Sequence, residues 1–270
     1  MYLFFNNRLI AEKEFNTSAN NRSFNYGDGV FETMAFKNGK VNYLNDHFER
    51  LTAGAAALSI SLPPYFDNAY LDESIRLLLK ALSLPEARIK LHVWRKPGGL
   101  FAPLDNSADF LITAGELKPA KELKKNVGFF DSVTKVFSSI SSYKTCNALP
   151  YIMAAKEAQK QGLDDVVLLD VYGNISECTT SNVFLEKNEV IYTPSLQSAC
   201  IDGVMRKQLL NFFKQEGIVC EEGLYNRVAV EHAELVFTSN IGGISCIEHI
   251  ENKTYYTTSP LFERIKGRFS

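Results

Sequence analysis

Apolar and polar positions alternate from the first residues. Tyr2-Leu3-Phe4-Phe5, a turn at Asn6-Asn7 and Arg8-Leu9-Ile10 predict a short β-hairpin. A glycine-punctuated stretch from Asn25 to Phe36 leads into an alternating strand. Lys37-Asn38-Gly39-Lys40 then supplies a hairpin turn, because Asn-Gly accepts positive φ. The return strand is expected over residues 41–44. Asp46-His47-Phe48-Glu49 has capping-box spacing and opens a helix running to about residue 58, with Phe48, Leu51, Ala55 and Leu58 on one face. Leu71, Ile75, Leu78, Leu79 and Leu82 mark a second amphipathic helix. Strands over 88–95 and 109–114 follow, joined through Pro97-Gly98-Gly99.

Residues 118–126 are polar and lysine-rich and read as a linker, separating a first domain, 1–117, from a second, 127–270. The second domain is expected to hold strands over 127–131, 166–170, 175–177, 183–185, 190–193 and 235–239. Its helices run from Pro150 to Gly162 and from Gly203 to about 215. Strand pairs and helices mix without βαβ alternation and without a repeat, so the class is α+β, the second domain being mostly antiparallel.

Composition narrows the partners rather than the fold. With 29 basic and 31 acidic residues the formal net charge is −2, which gives no reason to expect nucleic acid or an anionic membrane. No apolar run has the length of a membrane span, and the N-terminus lacks the charged and apolar regions of a signal peptide. Five cysteines are scattered without metal-site spacing, so no metal site or disulfide framework is expected and a cytoplasmic setting fits. Cys146 reads as a small buried residue, although its place beside Lys144 leaves a reactive thiol conceivable.

The candidate chemistry centres on Lys144, in the polar stretch Ser141-Ser142-Tyr143-Lys144-Thr145-Cys146-Asn147 that runs into a helix start. Glu177 follows a turn at Tyr172-Gly173-Asn174 and precedes Thr179-Thr180-Ser181-Asn182. A lysine nucleophile and a carboxylate able to keep a ring nitrogen protonated are the two groups that pyridoxal 5′-phosphate (PLP) chemistry requires. A phosphate asks further for an arginine fork and free N–H groups at a helix start. Arg50, the helix start Gly203-Val204-Met205 and the strand end Ser239-Asn240-Ile241-Gly242-Gly243 are candidates.

Taken together these stretches resemble the class IV (fold-type IV) PLP-dependent family, which includes branched-chain and D-amino-acid aminotransferases and aminodeoxychorismate lyase. The resemblance rests on Tyr26-Gly27-Asp28-Gly29-Val30-Phe31-Glu32-Thr33, His47-Phe48-Glu49-Arg50-Leu51, Lys144-Thr145-Cys146-Asn147, Gly173 through Asn182 and Gly203-Val204-Met205-Arg206, which occur in the family's order. It implies a small N-terminal α/β domain and a larger C-terminal domain, with PLP in the cleft between them and a homodimer as the usual assembly. Lys144 would form the Schiff base and then act as general base. Glu177 would pair with the ring nitrogen. Arg50, with Gly203, Val204, Met205, Ser239 and Asn240, would hold the phosphate.

Within the family, D-amino-acid aminotransferases are similar to one another in a tyrosine at the position of Phe31 and an Arg-x-His trap, and this chain has neither. The turn Asn240-Ile241-Gly242 differs from that of branched-chain enzymes, while Met205 and Asn240 are similar to the lyases. An aminotransferase acting between an amino acid, branched-chain among the options, and a 2-oxo acid is the first reading. A lyase releasing pyruvate and 4-aminobenzoate is the second, and a non-catalytic PLP-binding protein, opposed by the intact set Lys144, Glu177 and Arg50, is the third. Phe31, Tyr26 and Arg95 are the expected substrate contacts, Arg95 for a carboxylate.

Overall fold

The structure, a computed structural model, describes residues 1–269. It falls into two compact units: Met1–Lys118 with Tyr143–Asn147, and residues 119–142 with 148 onward. The segment holding Lys144 thus groups with the first unit, not with the second where the sequence had placed it.

The first unit comprises β1 (Tyr2–Phe5), β2 (Arg8–Ala11), α1 (Arg22–Tyr26), β3 (Gly29–Lys37), β4 (Lys40–Val41), α2 (Leu44–Ala57), α3 (Asn68–Leu82), β5 (Ala87–Arg95) and β6 (Ala108–Gly115). Its sheet runs β2-β1-β6-β5-β3-β4, antiparallel throughout. Strand side chains alternate faces, so Val30, Met34, Ile89, Leu91, Val93 and Ile112 point together and pack with Leu51, Leu71, Ile75 and Leu78 of the helices. Each such large aliphatic side chain, fully buried, contributes about 1.5–3 kcal/mol. The opposite face carries Phe31 and Thr33, paired with His92 and Lys90.

Two local expectations change here. Helix α2 starts at Leu44, with Tyr43 in the left-handed region at φ 54° and no side-chain cap, so Asp46 lies inside the first turn and forms no capping box. The return strand is consequently only two residues long. At α3 a cap does form, where the Asp67 carboxylate accepts from the Tyr70 N–H at 2.8 Å.

The second unit comprises β7 (Leu123–Lys135), α4 (Leu149–Gln161), β8 (Asp165–Asp170), β9 (Ile175–Cys178), β10 (Asn182–Lys187), β11 (Val190–Pro194), α5 (Val204–Glu216), β12 (Cys220–Gly223), α6 (Arg227–Glu231), β13 (Leu235–Asn240), β14 (Gly243–Ile250), β15 (Lys253–Thr254) and α7 (Pro260–Phe269). The sheet order is β12-β11-β10-β13-β14-β7-β8-β9, with β15 on β14. Most pairings are antiparallel, but β7 runs parallel to both β14 and β8, and β12 parallel to β11. The end of the expected linker is therefore strand: β7 begins at Leu123, where Lys124 is buried against Asp165. No strand or helix is predicted beyond residue 239, yet β14 is a central strand and α7 seals the sheet with Leu261, Phe262 and Ile265.

Candidate active site

In the second unit Glu177 lies on β9 and is 4% exposed. The preceding turn is fixed by Asp170, whose carboxylate accepts from the N–H groups of Tyr172 and Asn174 at 2.8 Å each. Oε1 of Glu177 accepts from the Tyr151 hydroxyl at 2.6 Å and from Lys135 Nζ at 3.0 Å. Oε2 accepts from the Ile201 N–H at 3.2 Å. One oxygen is thus doubly engaged by side chains and the other holds a single backbone donor. Lys135 also donates to the Tyr151 oxygen. Burial, reinforced by the Glu177 charge, pushes the Tyr151 phenol above its ordinary range, so it remains a donor.

Three chain segments of the same unit meet at Asn182, the first residue of β10. It pairs in register with Ser239 of β13, and its Nδ2 donates to the Ile201 carbonyl at 2.9 Å. Its Oδ1 would lie 2.0 Å from a Cβ at Gly203, the N-cap of α5, so a side chain there would have to displace Asn182. Val204 and Met205 open the helix, where the first N–H groups have no intrahelical acceptor. Ser239 is 1% exposed, and its Oγ has no hydrogen-bond partner among the described residues. Asn240 plays another part: its Oδ1 accepts from Gly242 N–H at 2.8 Å and its Nδ2 donates to Thr180 carbonyl at 3.3 Å, which shapes the turn. Beneath Glu177, the buried Lys124–Asp165 pair at 2.7 Å holds the 179–181 loop, with Thr179 Oγ1 donating to Asp165 at 2.6 Å.

In the first unit Arg50 turns its Nε and Nη2 edge to Glu32, at 2.8 and 2.5 Å, and His47 Nδ1 lies 2.7 Å from the same carboxylate. Burial alone would raise Glu32, but the Arg50 charge and the His47 and Arg50 hydrogen bonds prevail and hold it down at about 2. The guanidinium is therefore aimed by a buried anion on the neighbouring strand.

Residues 144–146 run along β3. The Phe31 N–H donates to the Lys144 carbonyl at 2.8 Å, and the Cys146 N–H to the Gly29 carbonyl at 2.9 Å. Lys144 Nζ lies 5.0 Å from the centroid of the Phe31 ring. The same ring has Lys90 Nζ at 5.2 Å and the His92 ring at 5.7 Å. Burial pushes the Cys146 thiol up despite Ser23 and Lys90, which argues against a reactive thiolate.

One expected substrate contact, Arg95, is committed to the framework instead. Arg95 is 6% exposed and spends all five N–H donors on the framework: Asp28 at 2.9 and 3.2 Å, the Ser59 carbonyl at 2.9 Å, the Leu58 carbonyl at 2.5 Å, and Asn106. With no donor left for a ligand, it is a structural residue rather than a carboxylate trap. Tyr26 ends α1 and packs on Phe101 at 5.8 Å, beneath the Arg22 guanidinium. Tyr151, Lys135, Lys90 and His92 were not singled out by sequence reasoning. For Lys90 and His92 a signal existed, since alternation from Phe31 through the β3–β5 pairing puts them on its face.

The donor set fits PLP: an orphaned buried hydroxyl at Ser239, a side-chain-free helix start at Gly203, and a buried carboxylate with one oxygen lightly used. A family model for class IV amino-transferases matches residues 29–250. The chain belongs to the class IV aminotransferase family, a family of PLP-dependent enzymes. It is 27% identical over 260 residues to an aminodeoxychorismate lyase of Vibrio harveyi, covering 92% of this chain and 94% of that one. It is 26% identical over 255 residues to a probable branched-chain-amino-acid aminotransferase of Rickettsia felis, covering 92% and 87%. In fold it is similar to the branched-chain aminotransferase of Thermoproteus uzoniensis, with a TM-score of 0.91, 24% identity and coverage of 99% and 93%.

Proposed function

We propose that the protein binds PLP through Lys144 and transfers an amino group between an amino acid and a 2-oxo acid. The observation that carries this reading is Glu177, a buried carboxylate held by Tyr151, Lys135 and the Ile201 N–H. Glu177 Oε2 would face the ring nitrogen, while Ser239 Oγ, the Val204 and Met205 N–H groups and Arg50 would receive the phosphate, with Glu32 aiming Arg50. PLP, when bound, draws electrons away from the substrate α-carbon. Lys144, displaced by the substrate amine, would take up the α-proton on Nζ, and Phe31 would shield that amine from water.

The second reading, pyruvate elimination by an aminodeoxychorismate lyase, is supported by the Vibrio harveyi relative, whose length the chain matches almost fully. The assay separating the two supplies amino acids with and without 2-oxoglutarate, and separately aminodeoxychorismate alone. Turnover strictly dependent on the 2-oxo acid supports the aminotransferase, and pyruvate released without an acceptor overturns it in favour of the lyase.

A homodimer is proposed with this reading. The exposed apolar side chains Phe24, Leu100, Phe101 and Leu104 on the first unit support it, since a second copy would cover them. A cytoplasmic setting is supported by five cysteines that are all free thiols. Among the described residues, no helix is long and apolar enough to cross a membrane and no cluster of side chains is suited to a metal.

A further inference from the structure

Asp28 stands between two glycines and is held through side chain and backbone alike. Its Oδ2 accepts from Arg22 Nε at 2.7 Å and from Arg95 Nε at 2.9 Å, and its Oδ1 accepts from Arg95 Nη2 at 3.2 Å. Its carbonyl accepts from the Arg95 N–H at 3.3 Å, and its own N–H donates to the Arg22 carbonyl at 3.3 Å. Both arginines are buried. Burial alone would raise the Asp28 carboxyl, but the hydrogen bonds from Arg95 and Arg22 prevail and hold it below its ordinary value. One anion thus serves two cations that have left water, and losing it strands both.

The glycines on either side of Asp28 are where the Lys144 segment rests. The Gly29 carbonyl accepts from the Cys146 N–H at 2.9 Å, Val30 and Thr145 form an antiparallel bridge, and the Phe31 N–H donates to the Lys144 carbonyl at 2.8 Å. Residues 144–146 therefore add a short strand to β3, in a register that begins at Gly29. Contact is made through bare backbone. A Cβ at Gly29 would lie 2.5 Å from the Val93 carbonyl and 3.2 Å from Cys146 Sγ. A Cβ at Gly27, whose φ is 67°, would lie 2.3 Å from Asn147 Oδ1. With no side chain between them to absorb a shift, a displacement of the 27–29 turn passes directly to residues 144–147.

We propose that Asp28, clamped by Arg22 and Arg95, is a positioning residue for Lys144: it fixes the turn whose backbone sets the register of residues 144–146, and through them the place of Nζ. The assignment rests on the reading in which Lys144 carries PLP. It also gives Arg95 a part in the reaction that needs no contact with substrate. A nucleophile misplaced by a fraction of a residue's length reacts more slowly even where the fold survives, because its effective concentration at the reacting carbon falls.

The test compares wild type, Asp28→Asn and the control Leu78→Ala, with hydrogen exchange measured on PLP-loaded protein and PLP uptake measured after the cofactor has been stripped and added back. Leu78 is buried in the helix layer of the same unit, so truncating it destabilises the fold without touching the turn. The exchange reference is the Leu91 amide, in the middle of β5 between β3 and β6. In Asp28→Asn, exchange at the Phe31 and Cys146 amides is expected to rise about 10- to 100-fold relative to Leu91. Uptake of borohydride-reducible PLP should slow by about tenfold or more. Leu78→Ala should show neither change. Exchange that rises equally at Leu91, or uptake as fast as in wild type, overturns the assignment. If Asp28→Asn does not fold, Arg22→Met, which leaves the Arg95 pair in place, is judged by the same criteria. Peptide mapping of the reduced proteins keeps the two claims apart. PLP fixed on Lys144 with uniform exchange sinks only the Asp28 assignment, whereas PLP found elsewhere sinks the underlying reading.

Discussion

The Tyr151 hydroxyl donates to Glu177 Oε1 at 2.6 Å, and Lys135 shares that oxygen at 3.0 Å. Both donors approach one oxygen and, among the described residues, only the Ile201 N–H approaches the other, so the carboxylate is clamped from one side. This sets its orientation without consuming the oxygen that a ring nitrogen would use. Tyr151→Phe removes a charge-assisted hydrogen bond of about 1.5–3 kcal/mol from a buried carboxylate. Weaker PLP retention, by about tenfold or more, is expected in equilibrium dialysis. The circular dichroism spectrum should be unchanged, and PLP retention equal to wild type would contradict the clamp.

Arg50 depends on Glu32. Glu32→Ala leaves Arg50 and His47 without their buried anion, a loss on the order of 3–5 kcal/mol in comparable buried pairs. The pH dependence has a definite sign. Because the Glu32 carboxyl is held down at about 2 in the fold against an ordinary 4.5, its contribution is complete above pH 4.5. It is lost as the pH falls from 4.5 towards 2. Denaturant titrations across that window should show a decline that Glu32→Gln flattens; an identical decline in the variant would refute the linkage.

Gly203 and Asn182 form a steric pair. A Cβ at Gly203 would lie 2.0 Å from Asn182 Oδ1, so Gly203→Ala should cost about 1–3 kcal/mol, as overpacking does elsewhere. Adding Asn182→Ala removes the obstructing oxygen, and thermal melts of the double variant should then lose less than the sum of the two single changes. Strict additivity would show that the clash is not the cause.

Lys124 is another buried cation with a carboxylate partner, Asp165 at 2.7 Å. Burial alone would lower it, but Cys178 and Asp165 raise it above its ordinary value. Its stabilisation is therefore present through neutral pH and lost only as the pH climbs past the raised value. Lys124→Met strands the Asp165 carboxylate and should cost about 3–5 kcal/mol, read as a drop in the urea midpoint. Lys124→Met with Asp165→Asn should recover part of it; no recovery would place the cost elsewhere.

The legible parts of this chain were those written in local pattern. The β1–β2 hairpin, the amphipathic face of α3 and the proline-led start of α4 each follow from spacing within a dozen residues. The elements beyond residue 240 leave no local pattern, because β14 is buried in mid-sheet, where alternation disappears, and α7 has only three buried apolar positions. Glu177, Lys144 and Arg50 stood out by motif, but the partners that aim them did not. Tyr151, Lys135 and Glu32 are brought to them by strand register and helix packing, which no window of sequence contains. Arg95 misled for the same reason: a strand-end arginine looks available until Asp28, folded beside it, is seen to claim it.

The central claim is that Lys144 carries the cofactor. Protein loaded with PLP, reduced with borohydride, digested and analysed by mass spectrometry should yield the phosphopyridoxyl adduct on the peptide containing Lys144, and Lys144→Ala should yield none. An adduct on Lys135 or Lys90 in the wild type, or a reducible PLP chromophore surviving in Lys144→Ala, would contradict the account.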